Sequence, residues 1–337
     1  MGTTLIDIAE KAGVSQATVS RVINAKPGAS EQSRKKVLAA IEELGLPLDR
    51  LQRNGTKLVA IVTPDLSNPI FAEYVTALVT LFARRGLLAI VCAYSLAGTS
   101  EEGFVRMLAT QSPVGAVFLS GTYDLQDGSD DVYRPLVERH VPLVFVNGSE
   151  ARESALVVGT DDAAAMTMAV RHLADLGHER IGLLMGDRDH LPSIVKERAA
   201  REFLAARGID VPSGLTAWTT YGVESGRQAA RRILENGATA IACASDELAL
   251  GAVRAALAMG LDVPGDVSVT GYDDSPLMGA VTPALTTVRQ PVRAISRAVV
   301  NSLAARIAGR GDADDDGLLL LEPELVVRET TAPCRHA

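Results

Sequence analysis

The stretch TLIDIAEKAGVSQATVSRVIN, Thr4 to Asn24, constrains this chain more than any other part of it. Thr4 is a good helix N-cap with Asp7 three residues on, a capping-box-like spacing, so a first helix is expected from about Leu5 to Ala12. Leu5, Ile8 and Ala9 give that helix one apolar face. Gly13 permits a backbone reversal that a Cβ would resist, Val14 plugs the turn into the core, and Ser15 can cap a second helix running to about Asn24. Val19, Val22 and Ile23 recur at helical spacing and point inward, which turns Gln16, Ala17, Thr18, Ser20 and Arg21 outward. Those side-chain types suit DNA. Gln pairs with adenine, Arg with guanine O6 and N7, Ala touches a thymine methyl, and Ser or Thr holds phosphate. A third helix follows Ser30, with Val37, Ile41 and Leu44 on its buried side and Arg34, Lys35 and Lys36 near its start.

Charge separates this segment from the rest. Residues 1–57 hold nine bases against six acids, a balance of +3, so with the whole chain at −8 residues 58–337 carry −11 and would be repelled by nucleic acid. Only the head is expected to touch DNA. At 337 residues and 47% apolar content the chain can bury a large core and should contain two or three domains. Asp7, Glu10 and Lys11 interrupt any apolar signal core, and no run approaches a membrane span, so a cytoplasmic protein is expected. Cys92, Cys243 and Cys334 are scattered without metal-ligand spacing and read as reduced thiols. The five histidines are equally dispersed, and His178, between a helix and a strand, reads as structural. No metal or cofactor is expected.

After Lys57 short apolar runs alternate with amphipathic segments. Strands are expected at Leu58–Val62, Leu88–Cys92, Ala116–Leu119, Leu143–Val146, Ile181–Met185, Ala240–Ala244 and Val267–Gly271. Helices are expected at Ala72–Arg85, Ala163–Leu176, Glu197–Ala206, Ser225–Glu235 and Glu247–Met259. This alternation implies two parallel sheets covered by helices, with ligands outside the carboxyl ends of the strands. The strand-end loops are therefore the place to look. They carry Asn68, Pro69 and Phe71 after the first strand, Ser245 and Asp246 after a later one, and Tyr272, Asp273 and Asp274 after the last.

The N-terminal string, followed in order by PDLSNPIF, LGHERIG, SDELALG, GYDDSP, TTVRQP and ELVVRET, closely resembles the lactose-repressor (LacI/GalR) family of bacterial transcription regulators over almost the whole chain. The resemblance implies an all-α helix-turn-helix headpiece plus an α/β core of two doubly wound parallel-sheet subdomains of periplasmic-binding-protein-like type. It divides the chain into a headpiece at 1–46 and a hinge at 47–57. Residues 58–160 with 291–319 form one subdomain, and 161–290 with 320–337 form the other. It further implies a homodimer, possibly a tetramer, on a pseudo-palindromic double-stranded operator, acting most simply as a repressor. A sugar or related polyol in the inter-subdomain cleft would shift the DNA-competent population.

The implied DNA-contacting set is Thr4, Ser15, Gln16, Ala17, Thr18, Ser20, Arg21, Asn24 and, in the hinge, Leu51. The implied effector set is Asn68, Phe71, Arg198, Tyr221, Asp246 and Asp273. Asp246 and Asp273 would accept hydroxyls, Arg198 would donate, and Phe71 and Tyr221 would form walls. The chain departs from the pattern in places. Arg201-Glu202 stands where Gly-Phe is favoured after Arg198, which makes Lys196 the alternative donor; Asn147-Gly148 replaces Asp-Arg, and Thr220 replaces Asp or Asn. The segment before Leu51 is about four residues short, enough to remove about one helical turn. Together with Pro47 this predicts a shortened or absent hinge helix. The acidic run Asp312–Asp316 reads as a solvated loop. Two other roles compete: a sugar-binding protein of transport type, and a corepressor-dependent nucleobase-type regulator. An enzyme is not expected, because no GxSxG elbow, P-loop or GxGxxG after the first strand is present.

Overall fold

The structure, a computed structural model, describes residues 5–23, 28–44, 46, 57–95, 98–148, 155–310 and 317–335. The chain divides into two compact units, Met1–Lys57 and Leu58–Ala337. Thr4, Asn24, Leu51, the remainder of the hinge from Pro47 to Thr56, and Asp312–Asp316 lie outside the described residues.

The head holds three helices, α1 (Leu5–Ala12), α2 (Gln16–Ile23) and α3 (Glu31–Glu43). Gly13 ends α1 in the left-handed region at φ +63°, and the Val14 N–H turns back to the Ala9 carbonyl at 3.1 Å. The Ser15 hydroxyl then accepts the Thr18 N–H at 3.2 Å, and Ser30 does the same for Ser33 at the start of α3. Ile8, Ala9, Ala12, Val19, Val22, Ile23, Val37, Ala40 and Ile41 close one small core. This burial fixes which face of α2 remains outside.

In the larger unit the chain first lays down β1 (Lys57–Pro64), α4 (Pro69–Ala83), β2 (Leu87–Tyr94), α5 (Glu101–Gln111), β3 (Gly115–Leu119), β4 (Leu143–Val146) and β5 (Leu156–Thr160). It then crosses into α7 (Asp162–Asp175), β6 (Ile181–Met185), α8 (Leu191–Ala206), β7 (Thr216–Trp218), α9 (Val223–Glu235), β8 (Ala240–Cys243), α10 (Asp246–Ala258), β9 (Ser268–Asp273) and β10 (Thr286–Arg289). A short α6 (Arg134–Val137) precedes β4. The return adds α11 (Val292–Ile307) and β11 (Gly317–Leu321) to the first lobe, and β12 (Glu324–Val326) finishes in the second.

The first sheet has the order β11-β5-β4-β3-β1-β2 and the second β12-β10-β9-β8-β6-β7. The pairs from β11 through to β1, and from β10 through to β7, are parallel; β12 runs antiparallel to β10. Runs such as LVAIV and AVFL are apolar at consecutive positions because both sheet faces are covered. Val59, Ile61, Val117 and Leu119 meet Tyr74, Leu78 and Phe82 of α4 and Ile295 and Val299 of α11. The alternate residues Ala60, Val62, Ala116 and Phe118 meet Val105 and Leu108 of α5. The second lobe packs one continuous core around β6, β8 and β9.

The crossings follow Thr160, Arg289 and Leu321, and two of them touch: the Asp161 N–H donates to the Leu321 carbonyl at 2.9 Å. His178 is held structurally. Its Nδ1 lies 3.0 Å from the Thr239 hydroxyl and its Nε2 3.0 Å from Ser268 and 3.1 Å from the Ala332 carbonyl, tying the C-terminal tail to β9. Cys92 and Cys243 are free and buried.

Candidate functional site

On the head, Gln16, Ala17 and Arg21 of α2 are exposed and Thr18 and Ser20 half-exposed, while Val19, Val22 and Ile23 are buried. Ser15 is exposed too, but its hydroxyl works as the α2 cap, 2.9 Å from Thr18 Oγ1 as well as accepting the Thr18 amide. The small polar outer face is thus a direct consequence of the inward apolar stripe.

In the larger unit a cavity of about 300 Å³ opens between the lobes at the carboxyl ends of the strands. The first lobe supplies Asn68, Ile70 and Phe71 from the β1–α4 turn, Ser120 and Leu125 after β3, Asn147 after β4 and Thr160 at the end of β5. The second supplies Asp162, His190, Lys196, Tyr221, Glu247, Tyr272 and Asp273. Gln290, at the second crossing, closes the back. Three of these non-glycine residues sit at positive φ: Ser120 at +91°, Asn147 at +70° and Asp273 at +127°. Non-glycine backbone at positive φ is uncommon, and Ser120 and Asp273 hold it at strand ends that face the cavity.

Of the anticipated effector residues, the structure brings Asn68, Phe71, Tyr221 and Asp273 to the cavity. Asn68 is also the cap of α4, its Oδ1 accepting the Ile70 N–H at 3.2 Å. The Tyr221 hydroxyl bonds Ser193 Oγ at 2.7 Å and lies 3.2 Å from His190 Nδ1. The His190 ring stands edge-on to Tyr221 with centroids 5.7 Å apart. Gly186 beneath the Tyr221 ring has no room for a Cβ. Burial pushes His190 down to about 3, helped by the nearby Lys196 charge, so its imidazole is neutral at physiological pH.

Two residues stand elsewhere. Arg198 is on the outer face of α8, exposed and 4.0 Å from Glu202. Ser193, Lys196, Ala200 and Leu204 recur at helical spacing on the buried face, and a residue two positions from Lys196 must point away from it. Lys196 occupies the place expected of Arg198. Asp246 is buried behind the wall: its Oδ2 accepts the Ser275 N–H at 2.8 Å and its Oδ1 the Thr287 hydroxyl at 2.6 Å. A Cβ at Gly271 would meet that Oδ1 at 2.5 Å. Burial raises Asp246 to about 7 despite these bonds. It positions the end of β9 and does not line the cavity.

The remaining polar groups form two bonded sets that short motifs do not reveal. Lys196 Nζ lies 3.1 Å from Asp162 Oδ1 with both side chains nearly inaccessible, and 3.7 Å from the centre of the Tyr272 ring. The Tyr272 hydroxyl donates to the same Asp162 oxygen at 2.6 Å. Gln290 Nε2 donates to Asp273 Oδ1 at 2.7 Å, while its Oε1 accepts Tyr74 at 2.9 Å and Thr160 at 3.2 Å. One amide therefore ties a first-lobe helix, a crossing and the cavity carboxylate together. Asp273 is raised well above the usual carboxylate range, by burial first and by Asp246 second. At the mouth the lobes meet again, the Gln126 N–H donating to the Asp189 carbonyl at 2.8 Å.

A three-helix head with a polar outer face on α2, joined in sequence to two Rossmann-like lobes around a polar cleft, is the architecture of a class of DNA-binding transcription regulators. Residues 4–46 match the model described as bacterial regulatory proteins, lacI family, and residues 170–331 match the periplasmic binding protein-like domain. The chain is 41% identical to the HTH-type transcriptional regulator reg1 of Streptomyces lividans over 98% of its own length and 97% of the relative's. It is 40% identical to the HTH-type transcriptional regulator MalR of Streptomyces coelicolor, at the same coverage. Among solved structures, the CelR–cellobiose complex matches at 30% identity and TM-score 0.74, covering 98% of this chain and all of that one. The lac repressor dimer bound to operator and an anti-inducer matches at 29% and 0.73, with the same coverage. The chain belongs to the lacI family of transcriptional regulators. Among the described residues no helix is long and apolar enough to cross a membrane.

Proposed function

We propose that the protein is a cytoplasmic, non-enzymatic repressor. It binds a pseudo-palindromic operator as a homodimer through residues 1–46 and is switched by a sugar or related polyol held between its lobes. The reading rests above all on the composition of the interlobe cavity. Acceptors on Asp273, Asn68 and Glu247 suit hydroxyl donors, while the Phe71 and Tyr221 rings suit the CH face of a pyranose. The first lobe and the second contribute to the same cavity, so a ligand that touches both favours one interlobe angle over another. The cellobiose held by CelR is a ligand of this chemical type. On the head, Gln16, Ala17 and Arg21 read base edges, with Thr18 and Ser20 on phosphate, and the shortened linker before Leu51 weakens the coupling between cleft and operator or changes the half-site spacing.

The test is a thermal-shift screen of sugars, polyols and nucleobases, followed by operator selection from random DNA with and without each hit. A stabilising sugar that alters binding to a two-fold symmetric sequence is expected. Stabilisation by nucleobases alone, or recovery of asymmetric DNA only, would overturn the reading.

A further inference from the structure

We propose that the cleft accepts an uncharged polyhydroxylated ligand and rejects anionic ones such as sugar phosphates and uronates. This rests on the assignment of the cavity as the effector site. Among the described lining residues five carry carboxyl groups, Asp65, Asp162, Asp187, Glu247 and Asp273, and one, Lys196, carries a positive charge. That charge is already committed. Asp162 pairs with it at 3.1 Å, and the face of Tyr272 lies 3.7 Å away on its other flank.

Capping side chains already occupy three helix N-termini at the cavity; a fourth, α8, has no side-chain cap, but its second residue is Pro192, which lacks an N–H, and the Ser193 and Ile194 N–H groups turn to the His190 carbonyl. A helix N-terminus attracts anions through unsatisfied N–H groups. Here Asn68 Oδ1 takes the Ile70 N–H at α4, Ser245 Oγ takes the Leu248 N–H at α10, and Asp161 Oδ1 takes the Ala164 N–H at α7. Glu247 moreover places its own carboxyl in the first turn of α10. His190, neutral for the reasons given above, adds no charge.

A phosphate entering this cavity would bring about −1.5 to −2 charges into space lined by carboxyl groups and no uncommitted cationic side chain. Buried charge is tolerated only when paired and hydrogen-bonded. Hydroxyls face no such penalty, because each can donate to a carboxylate and accept from an amide.

The experiment uses the full-length protein and matched probes: cellobiose and maltose, their 6′-phosphates, glucosamine and inorganic phosphate. These are titrated by calorimetry into the wild type, Asp162→Asn, which frees Lys196, and Glu247→Gln, which removes a negative charge away from the buried pair. The wild type should bind a neutral disaccharide at least about tenfold more tightly than its phosphate, and either substitution should narrow that gap. Equal or tighter wild-type binding of a phosphate ester, or a clear preference for the amino sugar, overturns the proposal. If no sugar of any charge binds, the effector-site reading itself fails. Inorganic phosphate then decides the electrostatic claim: it should bind Asp162→Asn or Glu247→Gln but not the wild type, and wild-type binding, or no gain in either variant, refutes it.

Discussion

Replacing Lys196 by Met tests whether the buried charge pair with Asp162 stabilises the second lobe. The ammonium is 4% exposed and its partner Asp162 11%, so neither is screened by water as a surface pair would be. Met retains much of the stem volume but leaves the Asp162 carboxylate with the Tyr272 hydroxyl and no opposing charge. Breaking a buried pair by removing one partner costs about 3–5 kcal/mol. The expected loss for Lys196→Met lies in that range. Adding Asp162→Asn removes the stranded charge while keeping an acceptor for Tyr272, so the double variant should recover at least about 1 kcal/mol. Urea unfolding followed by tryptophan fluorescence is suited to this, because the sole tryptophan, Trp218, lies on β7 beside β6 in the same lobe. A single substitution costing under about 1 kcal/mol, or a double variant no more stable than the single, would refute the pair as a stabilising element.

Three further outcomes are expected. Arg21→Ala should lose about 1–3 kcal/mol of operator binding by anisotropy while binding random DNA nearly as before; an unchanged specific-to-random ratio would remove Arg21 from the reading face. Gln290→Leu should uncouple ligand from DNA, because it cuts Tyr74 and Thr160 away from Asp273; saturating ligand should then change operator affinity less than in the wild type, and an undiminished change would contradict that role. Burial lowers His172, His178 and His190 in the folded protein, so below the unfolded value of about 6.5 the unfolded chain takes up protons the folded one refuses. Stability should therefore fall as pH drops below about 6.5, by up to about 1.4 kcal/mol per pH unit for each histidine, and His178→Gln should flatten part of that slope. A slope unchanged in that variant would show that His178 does not titrate on unfolding.

The head and the parallel sheets were legible because their signals are local. Gly13, Ser15 and Ser30 mark turns and caps, and the inward stripe Val19, Val22 and Ile23 fixes the outward one. Short apolar runs such as LVFV, bounded by turn residues and rich in β-branched and aromatic side chains, fit strands covered on both faces. What escaped was made by tertiary contact. β10 reads as polar TTVR, yet Thr286 and Thr287 are buried against Thr330, Thr331 and Asp246. β7 and β12 are too short and β11 too exposed to stand out, whereas β5, α5 and α11 escape although their buried faces are regular. In the cleft, motif order pointed to Arg198 and Asp246, whereas helical phase selects Lys196 and the bonds to Ser275 and Thr287 hold Asp246 behind the wall. The alternative offered by Lys196 was visible in the chain. The pairing of Lys196 with Asp162, and of Gln290 with Tyr74, spans elements far apart in sequence and leaves no periodic trace.

The most direct test of the account is operator affinity measured across a cellobiose and maltose titration for the wild type and Asp273→Ala. The head is a separate folding unit, so both proteins should bind ligand-free operator alike. At least one sugar should shift wild-type affinity, and Asp273→Ala should show no shift at the same concentrations. A variant that still responds at the wild-type concentration, or a sugar that occupies the cleft without changing operator affinity, would contradict control of the DNA-reading head from the interlobe cavity.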